Sequence, residues 1–543
     1  MKAPAKCVAV LLFAVFTLAL AACNSTNHGG PPPAYAIGGT VVNFAGAAGT
    51  LVLKDNFSDT LPVSANGNFA FAIPVPSGGS YSVTISEQPS NPSQTCGVVN
   101  GTGTATANVT NIQVNCGHNE WEWVGGANAG SQDAVFGTMG VAAPANNPGA
   151  RLSSVTWTDA SGNLWLFGGY YYNSGVYRLI NDLWEYTTSG WIWMGGSNVP
   201  GASGAYGTLG APNSANIPGA RNQAVGFTDA SGDFWLFGGT GYDSTGTQGS
   251  LNDLWKYSNG EWTWMSGSNL VGEPGVYGTL GVPAPSNSPG ARFGAVSWTD
   301  SSGNLWLFGG FGYNSSGSGG AAYNDLWKFS GGEWTWVSGS NTTNQNGVYG
   351  ARGVSAPGNA PGARYWGVSW MDSSGDLWLF GGTGYGATGF FGFLNDLWRF
   401  SNGQWTWMSG SNQTYQSGTY GALGVASAGN VPGSRQNAIS WTDLSGNLWL
   451  FGGNGNDSAG GEGLLNDLWK FSDGEWTWMS GSNVINQSGV YGTQGMLFPG
   501  NIPGARGNFD SWVDANGNLW LFGGYGVAGG AEVYCNDLWM YMP

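Results

Sequence analysis

The chain has 543 residues, of which 8% are charged and 14% aromatic, with 97 Gly, 30 Trp and a net charge of −16. That acidity makes phosphate backbones and anionic lipid surfaces poor partners, so no nucleic-acid ligand is expected. The aromatic content excludes a disordered Gly-rich polymer, which lacks the apolar area to offset ordering. Outside the first 22 residues there is no long helical periodicity. Short aromatic runs punctuated by Gly, Pro, Asn and Ser read as all-β.

The N-terminus begins with Lys2 and Lys6, continues as "CVAVLLFAVFTLALAA" and closes at "LAAC". These residues resemble a bacterial lipoprotein signal with its lipobox over residues 1–22. The resemblance implies cleavage before Cys23 and lipid on that cysteine, which would hold the protein on a membrane. Asn24 follows, where an Asp would favour inner-membrane retention, so the expected location is the outer membrane of the cell envelope. Residues 23–33 are polar and Pro-rich and read as a tether.

Residues 34–117 contain no Trp and alternate in runs such as "GTLVLKD", "GNFAFAI" and "SYSVTIS". That pattern predicts a small β-sandwich, and "NGNFAFAIPVPSGGSYSVTI" resembles carboxypeptidase-regulatory and transthyretin-like sandwiches. Cys96 and Cys116 fall within this segment, and export to an oxidising compartment favours a disulfide between them. Cys535 is left as a buried thiol.

From residue 118 the chain is repetitive. "PGAR" or "PGSR" recurs at Arg151, Arg221, Arg292, Arg364, Arg435 and Arg506, at spacings of 70, 71, 72, 71 and 71. "NLWLFGG" and "NDLW" variants follow each in order and an "EWTW" variant follows the first five, and 29 of the 30 Trp occupy repeat positions, Trp366 being the extra one. Each unit reads as four strands, with tight hairpin signals "TDSSGN" and "SNGE" between the first and second and between the third and fourth. A sheet apolar on both faces must be covered on each side by another such sheet, and radial repetition does this. The last unit ends at "NDLWMYMP" without its fourth strand, whereas "EWEW" at residues 120–123 has no unit before it. The expectation is a six-bladed ring over residues 118–543 whose final blade is completed by Trp121 and Trp123.

The Gly pair, "ND(L)W", the outer Trp and "P-x-x-R" resemble kelch repeats of the galactose oxidase-like β-propellers. Kelch units run near 50 residues, and these run near 71, with the excess in the fourth-to-first connection. Copper-radical oxidases of that fold need two His ligands, but the only two His, His28 and His118, lie outside the repeats. Copper and zinc chemistry is therefore not expected, and no cofactor is implied. The "TDASGN" turns at Asp159, Asp300 and Asp443 superficially resemble calcium loops but lack a terminal bidentate Glu.

The six repeat Arg admit two readings: structural pairing with the "NDLW" Asp, or a cationic ring at the channel attracting a carboxylate. The repeated aromatic of "GVYG" (Phe136, Tyr206, Tyr277, Tyr349, Tyr420 and Tyr491) is read as packing its own loop. Aromatics that vary between units are ligand candidates on the long-loop rim: Tyr171, Tyr172, Phe311, Tyr313, Phe390 and Phe391.

Near-identical units favour a non-catalytic binding propeller, a monomer recognising a peptide, protein or glycan. The alternative is a carbohydrate-active enzyme resembling exported kelch-type sialic acid mutarotases. Its catalytic candidates are Asp510, unique at its repeat position, with Glu273, Glu462 and Glu532.

Overall fold

The computed structural model describes residues 33–42, 44, 51–56, 59–89, 95–117, 119–173, 175–187, 189–313, 320–495, 497 and 500–543. The signal segment, Cys23, His28 and His118 lie outside them.

The N-terminal β-sandwich pairs Gly67–Ala70, Ile37–Val42, Val109–Gly117 and Thr95–Val99 in one sheet. Its second sheet runs Asp59–Val63, Leu51–Asp55, Ser80–Glu87 and Thr102–Thr104. Alternation along Leu51–Asp55 turns Leu51 and Leu53 inward, where they meet Ile37, Val83, Ile112 and Val114 in one core. Cys96 and Cys116 face each other across adjacent strands and are disulfide-bonded.

The remainder is a six-bladed β-propeller. In the second blade, Val225–Thr228, Phe234–Tyr242, Gln248–Ser258 and Glu261–Ser266 pair antiparallel in that order, innermost first. The turn between the outer two strands places Asn259 at φ 52° and Gly260 at φ 84°, the two-residue hairpin conformation that Asn-Gly adopts at least cost. Across each first-to-second turn, an Asp accepts backbone amides and the indole N–H of the second-strand Trp: Asp159 from Trp165 at 3.1 Å, Asp300 from Trp306 at 2.9 Å and Asp443 from Trp449 at 2.8 Å. These carboxylates cap their own turns, which accounts for the calcium-like look of the sequence.

The sixth blade orders Asp510–Val513, Leu519–Phe522, Leu538–Met542 and Glu120–Gly125. Trp121 pairs with Tyr541 and Trp123 with Trp539, so the start of the ring completes its last blade. Trp121 is 1% exposed and packs on Trp441 and Phe451 of the fifth blade as well as on Tyr541. Burying two indoles at ~25 cal/mol per Å² gives this clasp several kcal/mol.

One connection differs from the expected long loops. The second strand does not stop at its Gly pair. Gly168 (φ 67°) and Gly169 (φ 105°) form a bulge through which the strand continues, and a Cβ on Gly168 would stand 2.9 Å from the Arg221 carbonyl of the next blade. Beyond the bulge a hairpin projects, ending at Asn173 paired with Val176. The other blades carry corresponding hairpins, short in the third, where Phe311–Gly312 pairs with Ala321–Ala322. The Arg-bearing segment Arg151–Leu152 pairs with the hairpin rather than with the inner core of its blade.

Candidate functional site

The repeated polar residues form one buried network per blade. In the fourth blade Arg364 Nη1 and Nη2 donate to the two oxygens of Asp396 at 2.6 and 2.8 Å. Its Nε and Nη1 also donate to the carbonyls of Gly362 and Gly381. Asp396 Oδ2 accepts from Trp398 Nε1 and from the Tyr349 hydroxyl, both at 2.7 Å. Arg151, Arg221, Arg292, Arg435 and Arg506 make the same bidentate pair with Asp182, Asp253, Asp325, Asp467 and Asp537. Burial alone would discourage ionisation of Asp537, but Arg506 and the Trp539 and Tyr491 donors overcome it and hold its pKa low.

These six guanidiniums are at most 1% exposed. The cationic-ring reading is therefore corrected: each charge is turned into its blade and satisfied by a carboxylate and carbonyls, with none left to meet a ligand. The "GVYG" tyrosines likewise belong to the network. In the first blade Phe136 occupies that position, and it packs on Trp184 and Trp193 without a hydroxyl for Asp182.

Two residues after each Arg the chain turns inward and forms a collar around the channel. Ser153, Gln223, Gly294, Trp366, Asn437 and Asn508 all have φ between 54° and 62°. Each donates its backbone N–H to the carbonyl of the preceding member, from Gln223 onto Ser153 (3.0 Å) through Trp366 onto Gly294 (2.8 Å) to Asn508 onto Asn437 (3.2 Å). Ser153 then donates to Asn508 at 2.9 Å, closing a six-membered circle of main-chain bonds. Gly and Asn enter this left-handed backbone most readily; Ser153, Gln223 and above all the bulky Trp366 do so at a cost of about 1–3 kcal/mol each.

The collar and the residues beneath it line a cavity of about 160 Å³ that includes Ser154, Trp366, Asn437, Asn508, Phe509 and Asp510. Deeper, the channel wall is made of hydroxyls and indoles, including Thr156, Thr158, Thr228, Ser440 and Ser511. Asp510 is the only ionisable side chain in the cavity wall. The corresponding positions in the other blades are Val155, Val225, Val296, Val368 and Ile439. Asp510 is 4% exposed. Burial pushes its carboxyl up to about 7, with Ser154 and the Arg151 charge opposing. The Ser154 amide and hydroxyl face this carboxyl, while its Oδ2 and the Trp366 indole N–H are buried with no other partner.

Two aromatic clusters stand on opposite sides of the ring. Between the third and fourth blades, Tyr365 contacts Phe311 (5.0 Å between ring centres), Trp366 (4.5 Å) and Phe391 (6.2 Å), and Phe293 joins them. Between the sixth and first, Tyr177 stacks on Tyr534 at 3.8 Å and meets Tyr170 and Tyr172. Phe390 and Phe391 are 72% and 44% exposed. Tyr313 is half-buried, and its carbonyl accepts the Tyr323 hydroxyl. Tyr171, in contrast, is buried against the Arg151 guanidinium and drops out as a ligand candidate.

Glu462 and Glu532 are exposed on the projecting hairpins, and Glu273 lies on the loop entering the third blade. None of the three lines the cavity, so they do not form a constellation with Asp510. Larger grooves of about 710 and 500 Å³ lie at the outer blade boundaries. They are walled mainly by residues of the repeated motifs. Cys535 is buried, and burial pushes its thiol up to about 12, which leaves it an unreactive packing group. Ser154, Phe293 and Tyr365 are not identified from the sequence: Ser154 departs from the Ala of three units, but Phe293 and Tyr365 lie at an offset where every unit differs.

No protein-family model matches the chain, and no curated protein matches it. Among solved structures it is similar to one described as the structure of YjhT, at 14% identity and a TM-score of 0.42, covering 75% of this chain and 96% of that one. It is also similar to a fungal alcohol oxidase of the AA5 family in complex with copper, at 14% identity and a TM-score of 0.37, covering 76% of each chain. The β-propeller architecture itself is given by the sheet order of this chain. Among the described residues no group of three or more His, Cys, Asp or Glu is gathered to hold a metal.

Proposed function

We propose that this chain is a cell-envelope lipoprotein, anchored through lipid on Cys23, whose propeller binds a glycan without turning it over at the collar rim. The observation that carries this reading is a hydroxyl- and amide-lined cavity, with Asp510 as its single ionisable group, set between two aromatic clusters. Flat aromatic faces suit the apolar faces of sugar rings, and Asn, Gln and Ser suit their hydroxyls. A peptide carboxylate would find no free guanidinium there. The test is a glycan and peptide array probed with the full chain in detergent micelles. Saturable glycan binding that falls at least tenfold in Tyr365→Ala is expected. Binding confined to peptides, or indifferent to that substitution, would contradict the proposal.

One observation favours a second reading, a carbohydrate-active enzyme. Asp510 titrates near neutrality inside the cavity, as a general acid–base group acting on a sugar hydroxyl would. Sugar interconversion followed by NMR, present in the parent and absent in Asp510→Asn, would support it; unchanged sugar populations would remove it.

A further inference from the structure

Three departures from the repeat meet at the one cavity. A carboxyl replaces the Val or Ile of the other blades at Asp510, and a Trp occupies a left-handed collar position at Trp366. A serine, Ser154, stands where three blades have Ala. The first two are costly: an unpaired buried carboxylate loses its hydration, and a left-handed Trp is strained. Nothing in the fold calls for either, because the remaining blades build the same collar and core without them.

The protein does not supply a counter-charge to Asp510. Arg151, the charged group acting on it from the adjacent blade, is committed to Asp182 at 2.8 and 2.9 Å. The inner strand of the fifth blade, Ile439–Thr442, and the second strand of its own blade, Leu519–Phe522, bring no ionisable side chain. Phe509 beside it is apolar. The cavity thus presents one carboxyl faced by the Ser154 hydroxyl but by no counter-charge, one indole with an unused N–H and a rim of amides, within a chain of net charge −16.

We infer that the collar cavity is a subsite for a protonated primary amine carried on a polyhydroxy ligand, a sugar with a free amino group, with Asp510 as its counter-ion. The inference rests on the glycan-binding reading and narrows it. An ammonium would restore the charge balance that the fold leaves open, and the Trp366 face would add a cation–π contact. The Trp366 N–H would donate to a hydroxyl of the same ligand, and the Ser154 hydroxyl would keep the carboxyl in place. A volume of about 160 Å³ admits the amine-bearing end of a sugar residue rather than an oligosaccharide.

Three titrations of the full chain in detergent micelles test this. Ethanolamine is compared with ethylene glycol, its neutral counterpart, and ethanolamine is expected to bind at least tenfold tighter. Its affinity should rise roughly tenfold from pH 6 to pH 8 as Asp510 ionises, and both effects should vanish in Asp510→Asn and in Asp510→Val. A glucosamine disaccharide should outcompete its N-acetylated form and a lysine-terminated peptide. Equal binding of the two small probes, or a preference that survives Asp510→Asn, overturns the amine assignment. Peptide preference over the disaccharide overturns the sugar class. If neutral glycans bind on the array while ethanolamine does not, the amine subsite falls and the glycan reading stands. Ethanolamine binding with a silent array would leave Asp510 as an amine counter-ion but overturn both the glycan reading and the amino-sugar ligand inferred from it.

Discussion

The buried Arg–Asp network and the collar cavity lie a few residues apart on every blade, yet they follow opposite rules. Where the six units agree, at Arg364, Asp396 and Trp398 and their counterparts, side chains are buried and their polar groups are paired. Where they disagree, at Trp366 and Asp510, an indole N–H and a carboxyl without a counter-charge are buried around a cavity. Repetition here marks what each blade needs to stand. Departure marks where a ligand has somewhere to go.

The largest effect belongs to the element that makes six sheets one body. Removing residues 119–126 strips the sixth blade of its outer strand and Trp121 of its packing, so cooperative thermal unfolding of the propeller should be lost. Calorimetry showing the parent transition would refute the closed ring. Next, Arg364→Ala leaves Asp396 charged and unpaired and should cost about 3–5 kcal/mol in chemical denaturation. Arg399→Ala removes a partly exposed ion pair with Asp376 at 3.8 Å and should cost under about 1 kcal/mol. Similar losses for the two would erase the distinction between network and surface.

At the cavity the sign should reverse. The carboxyl of Asp510 titrates near 7 in the folded chain and near 3.9 when unfolded. The folded state therefore holds the extra proton between these values, and stability falls as pH rises from about 4 to about 7. Asp510→Val should consequently stabilise the protein, little at pH 4 and most at pH 8, by at most on the order of 4 kcal/mol. A melting temperature that drops in this variant at pH 8 would show that the carboxyl serves the fold. The smallest effect compares blades: Tyr349→Phe should lose about 1 kcal/mol with the hydroxyl that Asp396 accepts, and Phe136→Tyr should gain a similar amount at Asp182.

The ring, its count and its clasp were legible because aromatic and Gly-rich motifs recur at fixed spacing, and "EWEW" stands apart from any preceding unit. The projecting hairpins were not, because a Gly pair reads as a strand end, whereas Gly168 and Gly169 carry the strand onward through a left-handed bulge. Repeat spacing locates an Arg on the chain but not the direction of its side chain. Two roles for the six Arg therefore stayed open until burial settled them. Asp510 could be flagged as a departure from Val or Ile, and Trp366 as the Trp outside the pattern. That both line one cavity depends on the collar, a set of bonds between residues about 71 apart.

The central claim, that the collar's departures serve a ligand and not the fold, is tested most directly by one variant read two ways. Trp366→Asn installs the residue found at Asn437 and Asn508, relieves the φ of 57° and keeps the main-chain circle. Its melting temperature should equal or exceed that of the parent, while affinity for the best glycan on the array falls at least tenfold. A lower melting temperature with affinity unchanged would contradict the account.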